Sequence, residues 1–282
     1  PQLTPNGLAA LLTHPYFHKI QDVRIIGDEL TPPETLQQYF FALPSALPGL
    51  LGARFITNGF RTAEAIQTYS KVHDSYRSLG KSFSGMVFLD GLGEIHDRVR
   101  GREGSFARAI ATLQGLRETG VPVQAACTII KQNVWGLADL LDWARKQEIH
   151  VRFRVGTFIR RLGNSDLKTE LHAFSEAENK HLVAFFHRLL LEYETEEGVK
   201  RTYTSVLSLL TGGERLVTCP YQTNHSLNFD SAGRFATCAP RGRPFALSSS
   251  RTRGTARIFE RLAIRTFHCP TCTHDYHGDW TV

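Results

Sequence analysis

Residues 84–91 read Ser-Gly-Met-Val-Phe-Leu-Asp-Gly, a short run of mainly apolar residues that ends in an aspartate and a glycine. The run predicts a buried β-strand over Ser84–Leu89, and Asp90-Gly91 predicts the turn that follows it. Helical periodicity lies on both sides, over Thr62–Leu79 and over Ser105–Glu118. A strand between two helices is typical of a β/α repeat, and the first two-thirds of the chain follow this pattern.

Four more short apolar runs predict strands that alternate with helices. They cover Asp22–Ile26, Arg54–Thr57, Val121–Ile130 and His150–Val155, and further helices begin near Pro33 and Val134. Five such strands predict parallel pairing with right-handed crossovers, in either an open α/β sheet or an α/β barrel. In both architectures ligands bind at the carboxyl ends of the strands. Three turn signals lie there: Gly27-Asp28-Glu29, Thr57-Asn58-Gly59 and Asp90-Gly91.

The pattern also predicts the domain organisation. Residues 1–15 are helical in character and precede the first predicted strand, whereas a helix in a β/α protein normally follows a strand. We therefore expect one more strand upstream of Pro1, since its absence would leave an unpaired sheet edge. Ser175–Glu178 is a capping box that opens a long helix, and another helix is expected over Tyr203–Leu210. The predicted regions are an α/β core (1–160), a helical connection (161–214) and a small cysteine-rich domain (215–282).

The cysteine-rich domain contains four of the five cysteines of the chain. Cys219 and Cys238 flank Gly233, which suits the turn of a predicted β-hairpin, and Cys269-x2-Cys272 follows after 30 residues. Two pairs of thiolates can complete a tetrahedral zinc site or bind a cubane iron–sulfur cluster, and the spacing alone does not choose the metal. Buried structural thiols or two disulfides are the alternative interpretation.

Composition excludes several classes of protein. With 41% hydrophobic and 21% charged residues in 282, the chain is of ordinary globular composition. It contains no apolar run of about 18 residues, so no membrane span is predicted. The low cysteine count and the lack of a secretory signal favour a cytoplasmic protein.

The net charge of +6 permits an acidic partner. Arginines crowd the segment between Cys238 and Cys269, where Glu260 is the only acidic residue. An acidic peptide or a phosphorylated substrate could dock on this segment, and a solvated basic face is the alternative.

Several motifs resemble those of the radical S-adenosylmethionine (radical SAM) superfamily, over residues 21–154. Ile25-Ile-Gly-Asp-Glu29 stands where that family has a Gly-Gly-Glu motif, and Thr57-Asn-Gly59 is similar to its third-strand motif. Its peptide- and protein-modifying members have an "SLDG…HD…RG" stretch, which is similar to Val87-Phe-Leu-Asp-Gly91, His96-Asp97 and Arg100-Gly101. The C-terminal cysteine pattern resembles the "twitch" domain, a shorter relative of the SPASM domain.

The resemblance implies a fold and a set of ligands. The fold is a partial (β/α)6 TIM-like barrel, with its first strand missing from this chain, followed by a small twitch/SPASM-like α+β domain. S-adenosylmethionine (SAM) would lie across the strand ends. The twitch-like domain would bind one auxiliary 4Fe-4S cluster through Cys219, Cys238, Cys269 and Cys272.

Individual site residues follow from the matched motifs. Gly27, Asp28 and Glu29 are carried over as contacts of the methionine amino group of SAM, and Asn58 and Asp90 as further cofactor-binding residues. For Asp90 and for His96-Asp97, turn and helix-cap roles are the alternative.

Two of these positions depart from the family pattern. Asp28 replaces the second glycine of Gly-Gly-Glu, which affects how closely the backbone can approach a ligand. Phe88 replaces the usual serine before Leu-Asp-Gly, so a hydroxyl that could contact SAM is absent at that position.

The family's first cluster is held by a C-x3-C-x2-C motif, which does not occur in these 282 residues. The resemblance implies that a second 4Fe-4S cluster comes from an upstream segment and supplies the electron that cleaves SAM to a 5′-deoxyadenosyl radical. We therefore expect a radical SAM enzyme that modifies a peptide, a protein or a small molecule. The alternatives are a catalytically silent truncated relative that binds a peptide, and a four-cysteine zinc protein. No recognisable nucleic-acid module is present.

Overall fold

The computed structural model describes residues 3–26, 31–156, 167–168, 173–221, 225–230, 232–236, 245–246 and 272. The chain divides into two compact units. The first, called the α/β unit below, contains Leu3–Thr128 and Gly136–Phe153. The second, called the C-terminal unit, contains Ile129–Trp135 and the described residues from Arg154 onward.

Five strands form one sheet in chain order, β1-β2-β3-β4-β5. Their bounds are β1 Asp22–Ile26, β2 Gly52–Thr57, β3 Ser82–Phe88, β4 Val123–Ile129 and β5 Val151–Val155. The pairs from β1 to β4 are parallel. The strand order never reverses, which is typical of an α/β barrel, whereas an open doubly wound sheet reverses its order at a switch point.

Helices connect the strands, as the alternating pattern predicted. They are α1 Pro5–Leu12, α2 Pro33–Ala46, α3 Thr62–Ser78, α4 Glu94–Arg100, α5 Ser105–Glu118 and α6 Leu137–Lys146. The bounds of β1 and α5 are those expected from sequence, and α2 begins at Pro33, where a helix start was expected. The α4 helix was not predicted as a helix. It has only seven residues between Gly93 and Gly101, both of which have positive φ, and the sequence there resembles a loop.

An aromatic cluster joins the sheet to α3. The ring of Phe55 on β2 stacks on Tyr69 at a centroid distance of 3.8 Å and lies 5.5 Å from Phe83 on β3. The hydroxyl of Tyr76 donates to the carbonyl of Phe40 at 2.9 Å, so the cluster also connects α3 to α2. Gly85 is the register partner of Phe55, and a Cβ there would lie 2.2 Å from the Phe55 ring. Glycine is therefore required where the ring covers β3.

The C-terminal unit contains two helices that pack together. The first, α7, covers Glu176–Arg188 and continues as a π-helical turn over Leu189–Tyr193. The predicted capping box is confirmed, because the Ser175 N–H donates to Glu178 Oε2 at 2.6 Å while the Glu178 N–H donates to Ser175 Oγ at 3.3 Å. The second helix, α8, covers Glu197–Leu210 and begins six residues before the predicted start.

The predicted hairpin is also confirmed. Strand β6, Asn228–Phe229, pairs antiparallel with β7, Arg234–Ala236, and a third strand, β8, Phe245–Ala246, pairs with β7. Gly233 has a φ of 73°, and Asp230 Oδ1 accepts the backbone N–H groups of Ala232 and Arg234, both at 3.0 Å. These bonds give Asp230 a turn-forming role. Among the described residues, no helix combines the length and the apolar character needed to cross a bilayer.

Gly85→Ala should destabilise the α/β unit by about 1–3 kcal/mol, because the added methyl group would collide with the stacked Phe55 ring. Urea unfolding of the two proteins measures the difference. Ser84→Ala is the matched control, since Ser84 points to the opposite face of the sheet and its loss should change stability by less than about 0.5 kcal/mol. A Gly85→Ala protein as stable as wild type would show that the aromatic cluster tolerates a larger residue there.

Candidate functional site

The loop after β2 is held in a tight conformation at the carboxyl end of the sheet. Gly59 has a φ of +76°, and its carbonyl accepts the hydroxyls of Thr62 and Thr112, both at 3.0 Å. A Cβ at position 59 would lie 3.0 Å from Thr112 Oγ1 and 3.1 Å from Ala109 Cα. This close approach explains the glycine in Thr57-Asn58-Gly59, and it places half-buried Asn58 at the strand end.

Arg100, the last residue of α4, joins the ends of β2 and β3. Its Nη1 donates to Asn58 Oδ1 at 2.9 Å, and its Nη2 forms an ion pair with Asp90. Its guanidinium carbon lies 4.3 Å from the centroid of the Phe88 ring. The structure therefore brings together Asn58 and Asp90, both proposed from sequence, through an arginine that sequence reasoning named only within a motif. We call Asn58, Phe88, Asp90, His96 and Arg100 the strand-end cluster.

Asp90 is almost completely buried and ties together three elements. Its side chain is 1% exposed in the ion pair with Arg100, and its Oδ1 accepts the backbone N–H of Thr128 on β4 at 2.7 Å. Its own N–H donates to Nδ1 of His96 on α4 at 2.9 Å. This bond requires the neutral form of His96 with its hydrogen on Nε2. Burial, the largest cause, lowers the pKa of His96, and the nearby Asp90 opposes the shift.

Asp97 caps the segment that leads into α5. Its Oδ1 accepts the N–H of Phe106 at 2.8 Å, and its Oδ2 accepts the N–H of Gly104 at 2.8 Å. The bond from Phe106 is the main cause that lowers the pKa of Asp97. These hydrogen bonds agree with the helix-cap interpretation of His96-Asp97. They also hold α4 in a fixed position relative to α5. Arg100, the last residue of α4, therefore lies above the strand ends.

Comparison with curated proteins finds three relatives, and no family model matches the chain. AlbA of Bacillus subtilis strain 168, an antilisterial bacteriocin subtilosin biosynthesis protein, is 24% identical over 156 residues, 55% of this chain and 30% of AlbA. Fe-coproporphyrin III synthase of Methanosarcina barkeri is 36% identical over 73 residues, 26% and 18% of the two chains. Sporulation killing factor maturation protein SkfB of B. subtilis is 34% identical over 56 residues, 20% and 14%. Each match covers less than a third of the relative.

Solved structures share the fold over nearly the whole chain. Native anSMEcpe with bound AdoMet has a TM-score of 0.63 at 12% identity, covering 94% of this chain and 73% of that one. Streptococcus suis SuiB bound to S-adenosylmethionine has a TM-score of 0.51 at 11% identity, covering 95% and 60%. Both of these proteins were solved with SAM bound. The chain is similar to the radical SAM enzymes. The partial TIM-like barrel expected from the motifs is thereby confirmed.

Of the SAM-binding residues expected from the family resemblance, some are described by the structure and some are not. Gly27, Asp28 and Glu29 are outside them, so their proposed contact with SAM stays a prediction. Asn58 and Asp90 are described and meet at Arg100. Asn58 keeps part of its side chain accessible, whereas Asp90 directs its carboxylate into the protein. Asp90 is thus better placed to hold other groups of the site than to touch a ligand.

Two of the four cysteines of the predicted twitch-like domain are among the described residues. Cys219 is buried and Cys272 half-buried, whereas Cys238 and Cys269 lie outside the described residues. The hydroxyl of Tyr221 is 3.1 Å from Asn228 Oδ1, which ties the segment after Cys219 to β6. Cysteine thiolates are suitable donors for a thiophilic metal. No group of three or more metal-ligating side chains occurs among the described residues, and the four-cysteine ligand set stays a prediction.

The roles of Arg100 and Phe88 were not predicted from the sequence. The only available signal was the Arg-Gly of the radical SAM-like motif, because Arg100 stands on a short helix without a clear period. Its partner Asn58 is 42 residues away in sequence. The two meet because both lie at the carboxyl edge of the same parallel sheet.

Asp97→Asn should lower the stability of the protein at neutral pH and have little effect in acid. The folded-state pKa of Asp97 is lowered from 3.8, so the ionised carboxylate stabilises the fold above that value. This stabilisation is lost as the pH falls through the folded-state pKa. The difference in free energy of unfolding between wild type and variant, measured by urea titration, should therefore shrink from about pH 6 to about pH 3. Glu103→Gln, at an exposed neighbour, is the control. A difference that stays constant over this range would contradict the capping role.

Proposed function

We propose that this chain belongs to a radical SAM enzyme that cleaves SAM to a 5′-deoxyadenosyl radical and uses the radical to modify a peptide. The observation that carries the proposal is the strand-end cluster. It places polar groups at the carboxyl ends of a barrel-ordered parallel sheet, where α/β barrels bind their ligands. The same fold binds AdoMet in anSMEcpe.

The cluster offers chemistry that suits the methionine end of SAM. Arg100 presents a guanidinium and Asn58 an amide, and a guanidinium binds a carboxylate with charge-assisted hydrogen bonds. We assign the methionine carboxylate to Arg100 and Asn58, and the ammonium group to the segment Gly27–Glu29, in which Asp28 and Glu29 are anionic. Asp90 acts on SAM indirectly, because its carboxylate pairs with the Arg100 guanidinium and holds it in place. The first 4Fe-4S cluster, expected from a C-x3-C-x2-C motif outside these 282 residues, supplies the electron when it is bound.

The relatives favour a peptide as the substrate. AlbA takes part in the biosynthesis of a bacteriocin and SkfB in the maturation of a killing factor. A structure of anSMEcpe contains the Kp18Cys peptide, with a TM-score of 0.53. The third relative, Fe-coproporphyrin III synthase, keeps a small-molecule substrate as the second candidate. An acidic peptide would complement the arginines between Cys238 and Cys269.

We assign an auxiliary 4Fe-4S cluster to Cys219, Cys238, Cys269 and Cys272. The position of Cys219 supports this assignment, because Tyr221, two residues further along the chain, contacts Asn228 of the hairpin. The four side chains are those of the twitch-like pattern. Such a cluster could anchor the substrate or pass electrons. A single zinc ion on the same thiolates is the competing occupant.

The activity can be tested on the anaerobically purified full-length protein with SAM and a reductant. Wild type should release 5′-deoxyadenosine, measured by liquid chromatography, and Arg100→Gln should raise the Kd for SAM by roughly 10- to 100-fold. Arg98→Gln, which removes an exposed cation from the same helix, should leave both quantities unchanged. Absence of 5′-deoxyadenosine from wild-type protein that is loaded with both clusters would overturn the proposal and favour the silent relative.

Metal analysis tests the auxiliary site. Cys219→Ala and Cys269→Ala should each lower the iron content by one cluster, about four atoms per chain, and destabilise residues 215–282, since metal binding and folding are coupled. Cys127→Ala is the matched control, because that thiol lies buried inside β4. Unchanged iron in the two variants would show that the ligands lie elsewhere. Colourless wild-type protein with one zinc would favour the four-cysteine zinc site.

A further inference from the structure

Phe88 stands where the radical SAM resemblance has a serine, and it supports Arg100. Gly85 is paired with Phe55, which stacks against α3, so Gly85 belongs to the helix-facing side of β3. Successive residues of a strand alternate between faces, which places Phe88 on the opposite, inner face of the sheet. There its half-buried ring lies beneath the Arg100 guanidinium, 4.3 Å from its central carbon.

The guanidinium of Arg100 is restrained on three sides. The Phe88 ring supports its planar face, Asn58 accepts from Nη1, and Asp90 pairs with Nη2. An aromatic face attracts a guanidinium through the ring quadrupole, and it also limits rotation of the plane. Asn58 and Asp90 lie at the ends of two different strands. The three contacts together therefore hold Arg100 in one orientation across the gap between β2 and β3.

Asp90 is itself held independently of Arg100. Thr128 and His96 bind its carboxylate and its N–H, respectively, so the anion stays in place when the arginine is free to move.

A second arginine nearby also lies over an aromatic ring. The Arg102 guanidinium is 4.9 Å from the ring of Phe60, which lies in the loop after β2. Arg100 at the end of α4 and Arg102 just after it thus each lie over an aromatic ring.

We propose that Phe88 and Asp90 are positioning residues that orient the Arg100 guanidinium for SAM. Phe88 stands at the position where the radical SAM resemblance has a serine. This inference rests on the proposed function. A ring and a hydroxyl act differently: a hydroxyl could bond the ligand directly, whereas the ring acts through Arg100. Phe88→Ser, which restores the family residue, therefore weakens SAM binding, because it leaves Arg100 without its support.

Labelling of arginines by phenylglyoxal, followed by peptide mapping, reports the restraint on Arg100 without any cofactor. Arg100 should react slowly in wild type and several-fold faster in Phe88→Ser, because its side chain is 19% exposed and held on three sides. Phe88→Tyr keeps the ring and should restore slow labelling. Exposed Arg98 serves as the internal reference in every sample. An equal rate for Arg100 in wild type and Phe88→Ser overturns the positioning role.

Calorimetric titration of the full-length protein with SAM supplies the second readout. Phe88→Ser should raise the Kd roughly 3- to 10-fold, Phe88→Tyr should restore it, and Asp90→Asn should raise it as well. Phe41→Ser, at an exposed ring on α2, is the matched control and should bind like wild type. A Phe88→Ser protein that binds SAM as tightly as wild type overturns the inference and leaves the proposed function standing. Wild type that binds no SAM overturns the proposed function. In that case the labelling experiment, which needs no cofactor, still tests whether Phe88 restrains Arg100.

Discussion

The buried carboxylate of Asp90 is the group on which the arrangement of the strand ends depends. Asp90 follows β3, and its carboxylate accepts the N–H of Thr128 on β4 and pairs with Arg100. Its own backbone N–H donates to His96 on α4. A buried anion is costly unless hydrogen bonds and a counter-charge compensate it. The position of α4 is therefore coupled to the position of two strands. Arg100 extends the coupling to a third strand, because it donates to Asn58 after β2.

The opposite face of the sheet makes this arrangement possible. Phe55, Tyr69 and Phe83 pack between the strands and α3, and Gly85 is the residue that leaves room for the Phe55 ring. The aromatic packing keeps β2 and β3 in parallel register, so their carboxyl ends lie at one edge. Since β/α connections leave all such ends at the same edge, residues far apart in sequence meet there. Packing on the helix face thus supports the polar site at the strand ends.

Regular elements were predictable where a local pattern was strong. The strand Asp22–Ile26 and the helix Ser105–Glu118 have the bounds expected from their periodicity. The capping box at Ser175 and the hairpin around Gly233 also rest on contacts within a few residues. The seven-residue helix α4 was missed because its sequence is mostly charged and its stability comes from the Asp90 and Asp97 contacts. The start of α8 was missed because acidic residues precede its apolar face.

The sequence by itself determined the alternation of strands and helices, the radical SAM-like motifs and the spacing of the cysteines, because each depends on residue type and short spacing. Only the tertiary structure decided that Asp90 serves as an internal anchor and that Arg100 joins it to Asn58. It also decided that Phe88, a departure from the family serine, lies under the guanidinium. The physical reason is that these contacts form between ends of different strands. Their geometry depends on sheet register and helix packing, which no local pattern encodes.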